Sequence, residues 1–247
     1  MRDGELRMRD EGMEIGTKPA FSGTKYIFFC IKCKIFCFFC CGYKIYVYLC
    51  RDNRNIVPYL YIISGCNGAG KTTASYTILP EMLGCKEFVN SDEIAKGLSP
   101  FNADNMTVAV EASRIMYKRI RELISGNKTF ALETTLASRS IARLLQGAQE
   151  KGYYVTLLFF WLNTPDLAVE RVKNRVVSGG HNVTETTVRR RYDAGIYNLF
   201  QLYIPICDYW MITDNSLSPM EVIAKGFKDG KKEIFNTLLY NKLQSYE

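Results

Sequence analysis

The chain lacks the marks of a protein that enters or crosses a membrane. A membrane-spanning helix needs about twenty uninterrupted apolar residues. The most apolar stretch near the N-terminus, residues 25–50, is broken by Lys32, Lys34 and Lys44, and its longest charge-free run is Ile35–Tyr43. No basic start followed by a small-residue cleavage site reads as a signal peptide. Cysteine is scarce beyond residue 54: only Cys66, Cys85 and Cys207 occur there, spaced like ordinary small apolar residues. That body therefore reads as a reduced, cytoplasmic protein with no firm membrane association. Excess charge is lacking too. Of the net +7, residues 1–54 carry +4 and residues 55–247 only +3, too little to argue for a nucleic-acid partner. The body has no internal repeat and no low-complexity tract. Its single histidine, His181, lies in the glycine-rich run Gly179-Gly180-His181, a loop rather than a core position. It either contacts substrate or holds that loop by a hydrogen bond.

What residues 1–54 do contain sets them apart. Residues 1–24 are polar and charged, the composition of a disordered segment. Six of the nine cysteines fall between Cys30 and Cys50. Cys33-x3-Cys37-x2-Cys40 has the spacing of an iron–sulfur triplet, and thiolates there could bind a cluster or zinc. No strand–helix alternation of a barrel follows it, however. A density of Phe, Ile, Tyr, Lys and Cys suits translated AT-rich DNA, so the expectation is a gene-model artefact or a non-functional extension. A membrane-associating hairpin is the alternative. The folded domain is expected over 55–247.

The most informative segment is Gly65-Cys66-Asn67-Gly68-Ala69-Gly70-Lys71-Thr72, which fits G-x-x-x-x-G-K-[ST]. Such a loop wraps a phosphate in backbone N–H groups. Its lysine reaches the terminal phosphates and its hydroxyl holds Mg²⁺. An apolar strand precedes it (57–64) and a helix follows (72–83), whose N-terminal dipole favours an anion. Gly65, Asn67, Gly68, Ala69, Gly70, Lys71, Thr72 and Thr73 are thus the expected nucleotide site, with Thr72 as the Mg²⁺ ligand and ATP the nucleotide. Strands and helices then alternate. Further strands are expected at 87–90, 129–132, 153–162 and 209–213. Helices are expected at 104–125, 138–151, 165–177 and about 185–204, and a closing helix at 218–241. This alternation implies a parallel sheet covered on both faces. The expected fold is a P-loop NTPase: a three-layer α/β/α domain with a mainly parallel sheet of about five strands and an arginine-bearing helical lid.

Ligands of such sheets gather at the carboxyl ends of the strands. Asp92, at the end of the second strand, is the candidate base for an attacking hydroxyl. Ser91 would cap the short helix that starts there, although Asp92 could do so itself. Glu133 ends a very apolar strand, where a carboxylate is costly unless paired or liganded. It could hold Mg²⁺ through water, grip an acceptor hydroxyl, or form a structural ion pair. Arg175 precedes the glycine break, and Arg189-Arg190-Arg191 follows it. Val188, Tyr192, Ile196 and Leu199 form the buried stripe of that helix. Arg190 then points away, which leaves Arg175 with Arg189 or Arg191 to neutralise phosphoryl charge from a lid.

These segments together resemble the zeta-toxin family of P-loop kinases, above all its chromosomal branch. The likeness rests on Gly65–Thr73, Asn90-Ser91-Asp92-Glu93-Ile94-Ala95 and Leu132-Glu133-Thr134-Thr135-Leu136. It continues through Arg171-Val172-x-x-Arg175-Val176-x-x-Gly179-Gly180-His181, Arg189-Arg190-Arg191-Tyr192 and Asp214-Asn215-Ser216. The resemblance covers about residues 57–227. It implies an ATP- and Mg²⁺-dependent kinase that phosphorylates a hydroxyl of UDP-N-acetylglucosamine, and a small antitoxin protein as partner. By that likeness Lys71 binds phosphate and Asp92 is the base. Glu133 and Thr135 hold the acceptor, and Arg175 with Arg189 or Arg191 clamps the phosphates. The Gly-Gly-His lid and the three consecutive arginines depart from the plasmid toxins, so a kinase for another small hydroxyl compound stays open. A GTP switch is disfavoured because no Asn-Lys-x-Asp occurs. A motor is disfavoured because no apolar strand ends in Asp-Glu with a sensor arginine downstream.

Overall fold

A computed structural model of the protein describes residues 57–101, 105–180 and 182–246, together with the backbone of three strands farther upstream. The chain divides into two compact units, Met1–Ile56 and Val57–Glu247. In the first, β1 (Ile27–Cys30), β2 (Ile35–Cys40) and β3 (Tyr43–Val47) form an antiparallel sheet in that order. The readings given above for residues 1–24 and for the cysteine side chains of this unit lie outside the described residues.

The second unit is built on a seven-stranded sheet. Its strands are β4 (Tyr59–Gly65), β5 (Phe88–Val89), β6 (Phe130–Thr134), β7 (Tyr154–Trp161), β8 (Tyr209–Asp214), β9 (Glu221–Phe227) and β10 (Lys232–Ile234). The order is β10-β9-β8-β7-β4-β6-β5. The five strands from β4 to β8 run parallel to one another, and β9 and β10 extend the sheet antiparallel. The parallel strands are nearly continuous apolar runs because helices cover both faces. Leu60, Ile62, Leu132, Leu157 and Ile212 have no exposed surface.

The helices are α1 (Lys71–Thr77), α2 (Ser91–Leu98), α3 (Met106–Ser125), α4 (Ser140–Gln149), α5 (Pro165–Val177), α6 (Glu185–Asn198) and α7 (Thr237–Gln244). α1 and α6 each run on into a single π-type turn, at Ile78–Met82 and Leu199–Tyr203. α5 and α6 pack together as a hairpin joined at the glycine break. The buried stripe Val188, Tyr192, Ile196 and Leu199 lies against the core, while Arg190 is exposed.

The structure corrects the sequence reading in two places. Residues 218–241 are not one helix: they form β9, β10 and the start of α7. Val222 and Ile223 are β-branched, Asp229-Gly230 makes the turn between the strands, and Asn236 caps α7 through its side chain. Pairing with the edge of β8 outweighs whatever helical tendency the segment has. The cap of α2 is Asn90, not Ser91. The Asn90 side chain accepts from the Asp92 N–H, and Ser91 is the first helical residue.

Candidate active site

The register of the sheet sets the site. Ile63 of β4 lies opposite Glu133 and Ser64 opposite Thr134, so the phosphate loop after β4 and the acidic end of β6 emerge side by side. Gly65 ends β4 with φ +138°, and a Cβ there would fall 2.1 Å from the Phe160 carbonyl oxygen. Only glycine lets the two strands pass so closely. Gly65 and the fully buried Ala69 build the loop without lining the cleft. Asn67, Gly68, Gly70, Lys71, Thr72 and Thr73 do line it. From the far side Asn215 supports the loop, its amide donating to the Ala69 carbonyl at 2.9 Å.

The cleft has a volume of about 380 Å³. Ser91 and Asp92 from the start of α2, together with Glu133, Thr134 and Thr135 from the end of β6, form one wall. Arg171 and Arg175 of α5 and Arg191 of α6 overhang it. Lys71 is buried, and its ammonium donates to the Cys66 carbonyl at 2.9 Å and lies 3.8 Å from Glu133 Oε1. The Thr72 hydroxyl and the Asn90 amide both donate to the Glu133 carboxylate. Burial raises the affinity of Glu133 for a proton. Lys71 and the Thr72 hydrogen bond oppose this, while the charges of Asp92 and Glu93 add to it. Burial also pushes the Cys66 thiol up to about 11, against the pull of Lys71, so it is a neutral packing group in the loop.

Hard oxygen donors suit Mg²⁺, which is commonly held by a hydroxyl or a carboxylate beside substrate phosphates and water. Thr72 Oγ1 and the Glu133 carboxylate are in direct contact on the phosphate side of the cleft, and they fit such an ion.

Of the two arginines left open on α6, only Arg191 faces the cleft. It donates to Asn67 Oδ1 at 3.4 Å. Burial lowers its proton affinity, and the charge of Asp92 counters this. Arg189 stands outside, donating to Asp166 Oδ1 at 2.6 Å and to Glu185 Oε1 at 2.9 Å. The sequence leaves it open as the second phosphate-clamping arginine. Its bonds instead tie the N-terminal turns of α5 and α6 together. Arg171 is a cleft residue missed as a candidate, held by a bond to the Ser216 carbonyl at 2.9 Å. Its i,i+4 spacing from Arg175 puts both on one helix face, and that signal was available. His181 lies outside the described residues.

The loop after β6 is clamped from α6. Leu136 is fully buried with φ +57°, and Asn198 Nδ2 donates to its carbonyl at 2.8 Å. Gly195 passes the Thr135 carbonyl so closely that a Cβ would lie 2.6 Å from the oxygen. Met116 and Ile141 give the same end of the cleft an apolar face.

A protein-family model described as an AAA domain matches residues 60–194, more than half of the chain. An uncharacterized protein of Haemophilus influenzae is 31% identical over 128 residues, which cover 52% of this chain and 88% of that protein. Among solved structures, the AvrRxo1-ORF1:ORF2 complex with ATP superposes with a TM-score of 0.63 at 18% identity. That likeness covers 77% of this chain, which spans 64% of the length of that one. A structure from the PezAT chromosomal toxin–antitoxin system of Streptococcus pneumoniae superposes with a TM-score of 0.55 at 16% identity, covering 76% of this chain and 78% of the other. At such identities the likeness is one of fold: a P-loop NTPase-like α/β domain.

Proposed function

We propose that this chain, which belongs to the AAA domain family, is an ATP-dependent small-molecule kinase that transfers the γ-phosphoryl group to an alcohol. One observation carries the reading. A phosphate loop, a facing carboxylate from α2 and three arginines from the α5–α6 hairpin converge on a single cleft. A nucleotide switch or a passive binding module needs the loop, whereas a carboxylate and three arginines sharing its cleft suit phosphoryl transfer.

In this reading the loop N–H groups and Lys71 bind the β- and γ-phosphates. Thr72 and Glu133 would hold Mg²⁺, which when bound would offset phosphate charge. Thr135 holds the acceptor, and Asp92 takes the proton of its hydroxyl. That oxygen forms the new bond to the γ-phosphorus while the bond from phosphorus to the bridging oxygen of ADP breaks. Arg171, Arg175 and Arg191 neutralise the charge spread over the transferring group, and the hairpin they ride on excludes water. Closure of such hairpins is a common way to keep ATP from being spent on water.

The acceptor we propose is a nucleotide-sugar such as UDP-N-acetylglucosamine. The zeta-toxin-like segments Asn90–Ala95, Leu132–Leu136 and Gly179–His181 support it. The likeness in fold to the PezAT toxin–antitoxin structure supports a small antitoxin protein as a partner. The test is to incubate the full chain with ATP, Mg²⁺ and a panel of UDP-sugars, beside Lys71→Ala, and to search the products by mass spectrometry. A phosphorylated UDP-N-acetylglucosamine formed only with Lys71 present is the expected result. ATP hydrolysis with every UDP-sugar unchanged would sink the acceptor assignment and favour another hydroxyl metabolite.

A further inference from the structure

α5 closes on adjacent glycines that serve different ends. Gly179 has φ +80°, the left-handed conformation that commonly stops a helix. Its N–H donates to the Val176 carbonyl at 2.9 Å, and the N–H of Gly180 donates to the Arg175 carbonyl at 2.9 Å. This is the Schellman closure, and it brings the residue at 180 back onto the residue at 175. At Gly179 the backbone demands glycine and space does not, since a Cβ there would meet nothing within 4 Å. Gly180 is the reverse. Its φ is not positive, yet a Cβ on it would lie 2.5 Å from Arg175 Cγ, 3.2 Å from Arg175 Cδ and 2.9 Å from the Arg175 carbonyl oxygen. Closures of this kind frequently add an apolar side-chain contact between these same positions. Here the Arg175 stem fills that place on its way to the cleft, which Arg175 lines with Arg171 and Arg191.

We propose that Gly180 is a positioning residue for Arg175: the missing side chain at 180 is what lets the Arg175 stem turn from the end of α5 into the phosphate cleft. The proposal rests on the kinase reading above for the role of Arg175. The conflict a side chain would create falls at Cγ, near the root of the arginine, so bending its far end cannot relieve it. Relief requires rotation about χ1, and in a helix χ1 is confined to the wells that point back along the axis. Such a rotation swings the guanidinium, several bonds farther out, to a different heading. The last carbonyls of α5 offer it another seat, because an arginine in the final turn bonds them readily and suits the negative end of the helix dipole. Gly180 therefore decides between an arginine that caps its own helix and one that reaches phosphate.

The conflict with the stem vanishes when residue 175 has no Cγ, whereas the conflict with the carbonyl remains. Gly180→Ala, Arg175→Ala and the double variant, each in the full chain, separate the two in a double-mutant cycle. The readouts are affinity for the β,γ-imido analogue of ATP by calorimetry, kcat for ATP turnover, and thermal melting. We expect Arg175→Ala to weaken analogue binding by about tenfold, as loss of a charge-assisted hydrogen bond does. Gly180→Ala should weaken it nearly as much, and the double variant should match Arg175→Ala. kcat should follow the same pattern while circular dichroism stays unchanged. The melting temperature should fall with Gly180→Ala in both backgrounds, because the carbonyl is present in both. A folded Gly180→Ala protein with native affinity and kcat overturns the proposal. So does a double variant weaker than Arg175→Ala by the whole factor seen for Gly180→Ala. If Gly180→Ala folds only together with Arg175→Ala, the conflict lies with the stem, as proposed. If it folds in neither background, Gly180 serves the chain end alone and the proposal fails. Analogue binding needs no acceptor. A non-additive cycle with no phosphorylated product would overturn the kinase reading and leave the role of Gly180 standing, and a phosphorylated product with an additive cycle would do the opposite.

Discussion

Thr72 donates its hydroxyl to both oxygens of the Glu133 carboxylate, 3.0 Å from Oε1 and 2.8 Å from Oε2, across 61 residues of sequence. This contact joins the phosphate loop to the end of β6 and places a buried anion at the seam.

That anion has a pH signature. Burial raises the carboxyl of Glu133 above its ordinary value of 4.5. The folded state then binds this proton more tightly than the unfolded chain does, so the group favours folding most below that value and costs stability as pH rises through the window up to the raised value. A tenfold difference in proton affinity between the two states corresponds to about 1.4 kcal/mol. We expect Glu133→Gln to lose ATP turnover while its melting temperature, relative to the native chain, climbs as pH rises through that window. Differential scanning fluorimetry from pH 4 to 8, about the span over which carboxylates of this kind titrate, checks it. A difference in melting temperature that stays constant with pH would contradict the account.

Arg191 and Arg189 sit two residues apart on α6 and face different surroundings. Arg191 overhangs the cleft, and Arg189 is tied to Asp166 and Glu185 in solvent. Arg191→Ala should lower turnover by about 10²-fold or more, as loss of a charge-stabilising group does. Arg189→Ala should leave turnover nearly unchanged, since exposed ion pairs contribute little. Steady-state kinetics of the two variants under the same conditions decide it, and equal losses would refute the assignment.

Asn198 holds the carbonyl of Leu136, a buried non-glycine residue in the left-handed region. Asn198→Ala strands that acceptor and should cost about 1–3 kcal/mol in urea unfolding. It should also raise KM for the acceptor more than KM for ATP, because Thr135 precedes the released residue and the phosphate loop is not involved. Equal rises in the two constants would place the damage in the fold as a whole.

Cys66 lies in the middle of the phosphate loop and looks reactive by position alone. Its thiol is pushed up to about 11, so the thiolate is scarce at neutral pH. Iodoacetamide at pH 7.5, well below that value, should leave ATP binding intact over a period that alkylates exposed thiols. Cys66→Ala should retain nucleotide binding as measured by calorimetry. Rapid loss of ATP binding on alkylation of Cys66 would count against a neutral, buried thiol.

The sequence by itself determined the phosphate loop, the five parallel strands in their order along the chain, and the buried stripe of α6. Each rests on short-range physics: glycine conformations, apolar runs and helical spacing are all read within a dozen residues. Only the tertiary structure decided the rest. Arg189 and Arg191 are equivalent flanks of the stripe in sequence, and their difference comes from what α6 packs against. Gly65 reads as a phosphate residue until β7 is seen beside it. Residues 218–241 could close the chain as a helix until the free edge of β8 recruits them as strands. The partners of Glu133 arrive from 43 and 61 residues away and that of Arg191 from 124. Such pairings are set by strand register and by the packing of helices on the sheet, which no local pattern encodes.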